Sequence, residues 1–193
     1  MKCAPIQNWQ GKQDRSESER TEARISRSTM TSLVYLSLGS NVGDRETQLR
    51  NAVARLGTTG RVAAVSSFYE TEPVEFTQQP WFLNCAVVLE TSQTPRQLMT
   101  SILRIEQEMG RRRVQKKGPR MIDIDLLLFD GAVVSSPEIT IPHPALHERR
   151  FVLEPLAEIA PEVRHPVLHK TILALRDALP LGPVVRKLSK AGR

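Results

Sequence analysis

The chain has 193 residues, 40% of them hydrophobic and 25% charged, which suits one domain around a single buried core. Its formal net charge of +6 attracts anions without naming one, so nucleotides, nucleic acid and acidic membranes all stay open at this point. With two cysteines and no apolar run near the ~20 residues of a bilayer span, a disulfide-stapled module, a cysteine metal cluster and a membrane helix are excluded, and a cytoplasmic protein is expected.

Residues 1–31 form a zone of their own. Gln13 to Arg20 alternates the sign of its charges and offers little to bury, which predicts a disordered extension. Met30 stands just before the first strand-like segment and is an alternative start. The domain is expected over 32–180, followed by a basic tail over 181–193.

Leu33 to Leu38 reads as a buried strand ending at Gly39-Ser40-Asn41-Val42-Gly43. Asp44 then caps a helix with Leu49, Ala52, Val53 and Leu56 at helical spacing, and Gly57 closes it. Val62 to Tyr69 reads as a second strand, leading into a loop from Glu72 to Pro80. A third strand covers Phe82 to Glu90, with Cys85 as a small buried hydrophobe. A Ser-Gln-Thr-Pro start opens a second helix with Leu98, Ile102, Ile105 and Met109 on one stripe, and Gly110 stops it. A basic loop over 111–120 precedes a fourth strand, Met121 to Phe129, and Asp130-Gly131 signals a hairpin into Ala132-Val133-Val134. Shorter helices follow around 149–159 and 171–179. The order β-α-β-β-α-β predicts a ferredoxin-like α+β sandwich, two helices on one face of a mostly antiparallel sheet, with an extra C-terminal hairpin and helices.

Residues two apart in a strand project from the same face, so Asp123 and Asp125 are expected side by side, with Ile122, Ile124, Leu126 and Leu128 facing the helices. Paired carboxylates on an otherwise apolar strand need a compensating positive charge. Mg²⁺ is one candidate, since it takes one or two carboxylates plus phosphates and water. The alternative is a solvated sheet face on which the aspartates pair with arginines. Arg111, Arg112, Arg113, Lys116, Lys117 and Arg120, just upstream, favour a metal–triphosphate complex, because arginine binds phosphate oxygens bidentately. RNA recognition by stacked bases is disfavoured: the central strands are poor in aromatics and the aspartates would repel a phosphate backbone. Neither a P-loop, nor a dinucleotide fingerprint, nor a nucleophile elbow is present. His165 and His169 have an i, i+4 spacing, but Pro166 interrupts any helix there and both read as surface residues.

Tyr35-Leu36-Ser37-Leu38-Gly39-Ser40-Asn41, Ser67-Phe68-Tyr69-Glu70-Thr71, Phe82-Leu83-Asn84, Gly118-Pro119-Arg120 with Asp123-x-Asp125, and Ile141-Pro142-His143-Pro144 occur in this order. Together they resemble the 2-amino-4-hydroxy-6-hydroxymethyldihydropteridine pyrophosphokinases of folate biosynthesis, from about Leu33 to Pro166. The resemblance implies an enzyme that moves diphosphate from ATP to a hydroxymethyl dihydropterin, with two Mg²⁺ ions on ATP held by Asp123 and Asp125. It implies catalytic roles for Arg111 and Arg120, and ATP contacts from Glu106, Arg111, Arg113, Arg120, Leu126, His143 and Arg149. The pterin would meet Thr71, Val74, Asn84, Asp123 and the aromatic pair Phe82 and Phe151. ATP and the dihydropterin are the expected partners of a monomer, with no nucleic acid and no membrane. Two departures from some family members are Lys117, where a Trp precedes Gly-Pro-Arg, and Pro144, where an aromatic follows the histidine.

Overall fold

The computed structural model describes residues 31–73, 78–110, 119–180 and 182–188. The expected disordered extension, the start at Met30, and the site residues Val74, Arg111 and Arg113 lie outside this set. Among the described residues no helix is long and apolar enough to cross a membrane.

Strand β1 (Ser32–Ser40) leads through Gly43, at φ 66°, to helix α1 (Arg45–Leu56). The Asp44 carboxylate accepts the Thr47 N–H at 3.1 Å, filling one of the donors a helix start leaves open. Leu49, Ala52 and Leu56 are buried, and Gly57 ends the helix with right-handed torsions (φ −57°) that any residue adopts. Gly110, which follows helix α2 (Pro95–Glu108), does occupy the left-handed region at φ 89°. At the other end of α2, Thr94 and Gln97 form a reciprocal capping box that spans Pro95.

The expected second strand is two strands, β2 (Arg61–Val65) and β3 (Tyr69–Thr71). Ser66 causes the break. Its hydroxyl accepts the Ala86 N–H at 2.9 Å and donates to the Ser67 carbonyl at 2.8 Å, a side-chain substitute for one rung of the ladder. Strand β4 (Phe82–Thr91) pairs with β2 along its C-terminal half and with β3 along its N-terminal half. With β5 (Asp123–Phe129) and β8 (Val185–Lys187) the sheet runs β5-β1-β4-β3-β8, β2 lying on β4, and every pairing is antiparallel.

The Asp130-Gly131 turn does not make the expected hairpin. Asp130, at φ 46°, accepts the Leu33 N–H at 2.7 Å, while β6 (Val134–Ser135) pairs with β7 (Thr140–Ile141) in a separate two-stranded sheet. The pairing of β1 with β5 also slips at Tyr35/Leu36: Leu36 faces Leu126, Tyr35 faces Leu128, and Leu127 is left over as a bulge. Beyond the bulge the side-chain alternation inverts. Ile122, Ile124, Leu126 and Phe129 join the core under α1 and α2, whereas Leu128 turns to the opposite face, a correction to the uniform alternation expected there.

That opposite face carries a second core. Tyr35, Ala86, Val88, Leu127 and Leu128 pack beneath helices α3 (Arg150–Ile159) and α4 (Ile172–Asp177). His165, expected at the surface, is buried to 5% exposure, with Nδ1 accepting the N–H groups of Val167 and Leu168 at 3.3 and 3.2 Å. The segment 181–193, expected to be a tail, supplies β8 as an edge strand on β3. The helices α3 and α4 cover only part of this sheet face. Where the apolar residues give way to Ser37, Gly39, Asn84, Asp123 and Asp125, the face lies open as a cleft.

Candidate active site

The cleft has a volume of about 320 Å³. Asp123 and Asp125 stand opposite Gly39 and Ser37 in the β1–β5 ladder, and all four share the open face. Arg120, just ahead of β5, pairs with Asp123. Arg149, immediately before α3, brings Nη1 to 3.8 Å from an Asp125 oxygen and lies 5.8 Å from the centre of the Phe151 ring. The aspartates are therefore next to arginines, as one sequence reading held, but inside a cleft and not on a flat solvated face. Burial, and next the charge of Asp123, push the Asp125 carboxyl above the ordinary carboxylate range.

His143 enters from the segment after the cis Ile141–Pro142 bond, with its N–H on the Leu127 carbonyl at 2.9 Å. Its Nδ1 accepts the Ala145 N–H at 3.2 Å, so the proton of the neutral ring sits on Nε2. Burial lowers its pKa against the opposing pull of Asp125, which favours the neutral ring.

Away from the carboxylates the cleft changes character. Phe82 and Phe151 both line it, as does Asn84, which is buried to 3% exposure. The Asn84 Nδ2 donates to the Thr71 hydroxyl at 2.7 Å across β4 and β3, with the amide oxygen on the Gly39 side. A flat heterocycle with donors and acceptors on its edge fits such a surface.

Nine of the expected site residues thus share one cleft: Thr71, Phe82, Asn84, Arg120, Asp123, Asp125, His143, Arg149 and Phe151. Glu106 and Leu126 are not among its lining residues. Glu106 is 1% exposed and accepts the Ile124 N–H at 2.8 Å, while Leu126 belongs to the helix-side core.

Sequence reading passed over Gly39 and Asn41 as site residues. A methyl group on Gly39 would meet the Asn84 Oδ1 at 2.6 Å, so only glycine lets the amide lie against β1. Asn41, 2% exposed, accepts the Arg120 N–H at 2.7 Å and donates to Gln79 Oε1 and the Pro80 carbonyl at 3.1 and 3.2 Å. It joins the two loops that flank the cleft. Its traces in the sequence were the turn-forming company of Gly39 and Gly43 and its place at the end of the Tyr35–Asn41 motif, neither of which assigned it a role.

Among the described residues no cluster of three or more histidine, cysteine or acidic side chains is arranged to hold a metal ion. Two carboxylates on one strand face, one of them raised by burial and then by its neighbour's charge, fit a hard divalent cation that takes its remaining oxygens from phosphates and water.

Comparison with known proteins identifies the family of the chain. A 2-amino-4-hydroxy-6-hydroxymethyldihydropteridine pyrophosphokinase of Bacillus subtilis is 47% identical over 136 residues, 69% of this chain and 81% of that protein. One of the same name from Methylorubrum extorquens is 49% identical over 131 residues, 67% of this chain and 83% of its own. The folic acid synthesis protein fol1 of Schizosaccharomyces pombe is 43% identical over 155 residues, but this chain spans only 21% of its length. Among solved structures, a Plasmodium falciparum HPPK-DHPS (A437G, with STZ-DHP) aligns with a TM-score of 0.62 at 17% identity, over 79% of this chain and 46% of that one, a likeness of fold. The profile of one family matches residues 35–161, and the chain belongs to that family, 7,8-dihydro-6-hydroxymethylpterin-pyrophosphokinase (HPPK).

Proposed function

We propose that this chain transfers the terminal diphosphate of ATP to the hydroxymethyl group of 6-hydroxymethyl-7,8-dihydropterin, releasing AMP, as a step of folate biosynthesis. The observation that carries this is one cleft lined both by paired carboxylates beside Arg120 and Arg149 and by a buried amide together with two phenylalanines. The named bacterial relatives and the family profile support the same reaction over a catalytically silent binding module. The scaffold reads as ferredoxin-like. With β2 and β3 taken as one interrupted strand, the core order is β5-β1-β4-β2/β3, with α1 and α2 on one face.

Each part of the cleft has a task in the transfer. Phe82, Phe151 and the Asn84 amide orient the pterin so that its hydroxymethyl oxygen faces the carboxylate end. Arg120 and Arg149 neutralise charge on the phosphate oxygens as the bond to the β-phosphorus forms and the bond to the AMP oxygen breaks. His143, neutral with its proton on Nε2, is a hydrogen-bond donor to phosphate. Two Mg²⁺ ions held by Asp123 and Asp125 would supply charge neutralisation and acidify the attacking hydroxyl. No side chain is assigned as general base.

Incubation with ATP, Mg²⁺ and 6-hydroxymethyl-7,8-dihydropterin, with AMP followed by chromatography, tests the reading. AMP should appear in step with pterin diphosphate. Binding of both substrates without AMP would leave the silent module instead.

A further inference from the structure

Strand β3 is three residues long, too short to hold a position by its own ladder. It carries Thr71, the hydroxyl that orients Asn84, and it leads directly to Glu72, and both residues line the cleft. On one side β3 pairs with β4. On the other it pairs with β8, Thr71 opposite Val185 and Tyr69 opposite Lys187.

The join extends past the strand ends. Glu72 and Val184 are doubly linked: the Glu72 N–H donates to the Val184 carbonyl at 3.1 Å, and the Val184 N–H donates to the Glu72 carboxylate at 2.9 Å. At the far end the Leu188 N–H meets the Phe68 carbonyl at 2.8 Å. Side chains fasten both faces. Lys187 lies 3.2 Å from Glu158, which also accepts the Tyr69 hydroxyl at 2.7 Å. Arg186 lies 3.5 Å from Glu70 and 5.7 Å from the centre of the Trp81 ring, next to Phe82. Pro183 and Val185 line a second cavity of about 160 Å³ that shares Thr71, Glu72 and Phe151 with the cleft. All of these C-terminal residues lie beyond 35–161, the span matched by the family profile.

We propose that the C-terminal strand β8, with the Glu72–Val184 clasp, is a positioning element for the ring-binding end of the cleft. By fixing Thr71 and Glu72 it holds the Asn84 amide in register with the pterin edge, and it leaves the carboxylate end untouched. Glu72 and Val184 act here through Thr71 and Asn84. The proposal rests on the pterin reading of the cleft.

The test compares wild type with the chain shortened after Pro183, with Val184→Pro, which removes the donor to Glu72, and with the double variant Arg186→Ala/Lys187→Ala. Assays run well below each melting temperature. The loss of a charge-assisted bond from the clasp should raise the KM for the dihydropterin about tenfold and change the KM for ATP by less than about twofold. Glu72→Gln, which keeps an acceptor oxygen but loses the charge, should raise the pterin KM less than Glu72→Ala does. If the shortened chain or Val184→Pro fails to fold, the double variant decides. Folded variants with an unchanged pterin KM, or with both KM values raised alike, would overturn the proposal. Pterin binding measured by equilibrium dialysis separates the two ideas: a wild type that binds pterin but makes no AMP defeats the transfer reading, while the affinities of the variants still judge the strand.

Discussion

Asp123 and Asp125 each stand beside an arginine, yet the two pairs are unequal. Arg120 holds Asp123 in direct contact, whereas Arg149 stays 3.8 Å from Asp125, whose carboxyl is pushed upward by burial and by Asp123. Replacing each by asparagine keeps shape and removes charge. Without metal, Asp125→Asn should hold or raise the melting temperature, because it removes a partly desolvated charge and a repulsion. Asp123→Asn should lower stability by about 1–3 kcal/mol through the loss of a charge-assisted contact. Both should cut turnover by orders of magnitude at saturating Mg²⁺. Melting curves in chelator beside AMP assays check this, and near-wild-type turnover in both variants would remove the carboxylates from the mechanism.

Elements, more than single residues, decide where the open face begins. In β1 the residues directed to this side run Tyr35, Ser37, Gly39, from large to none, so α3 packs over one end and the other stays uncovered. The Gly39 position is a tight point in the cleft wall, because β1 and the Asn84 side chain of β4 meet there. Gly39→Ala should force the amide aside at a stability cost of about 1–3 kcal/mol, typical of overpacking. The pterin KM should rise far more than the KM for ATP, and steady-state kinetics with each substrate varied in turn would show it. Equal loss for both substrates would indicate a general loosening of the sheet. The bulge at Leu127 is an element-scale device as well. It lets one strand serve the helix-side core with Ile124 and Leu126 and the second core with Leu128, while Asp123 and Asp125 stay on the cleft face.

At the scale of the whole molecule, the second core ends in a histidine cluster whose charge state bears on folding. Burial lowers the His165 pKa, and the neighbouring His147 and His169 lower it further. The His147 ring lies 6.1 Å away, edge to face. A histidine depressed in the fold contributes stability that is present above the unfolded pKa and is lost as pH falls through that value toward the folded one. Unfolding free energy should therefore decline as pH drops below about 6.5, the unperturbed histidine value. In His165→Asn, whose amide oxygen replaces the Nδ1 acceptor, the decline should be shallower. Urea titrations at several pH values measure both slopes, and parallel slopes would show that His165 does not titrate on unfolding.

Whereas the residues at the aromatic end of the cleft were implied only by the family resemblance, the sequence by itself determined the α+β class, the starts of both main helices, and the aspartate pair. These depend on local chemistry: period-2 and helical spacing, Asp44 and Thr94 as caps, and two aspartates that alternation must place on one side. Only the tertiary structure decided the break of one strand into β2 and β3, the bulge at Leu127, the burial of His165 and the recruitment of β8. Each depends on a partner distant in sequence. Ser66 answers to Ala86, Leu127 to the β1 pairing, and Val184 to Glu72, which precedes it by 112 residues. Local periodicity carries no information about which distant backbone group completes a hydrogen bond, and those bonds place the walls of the cleft.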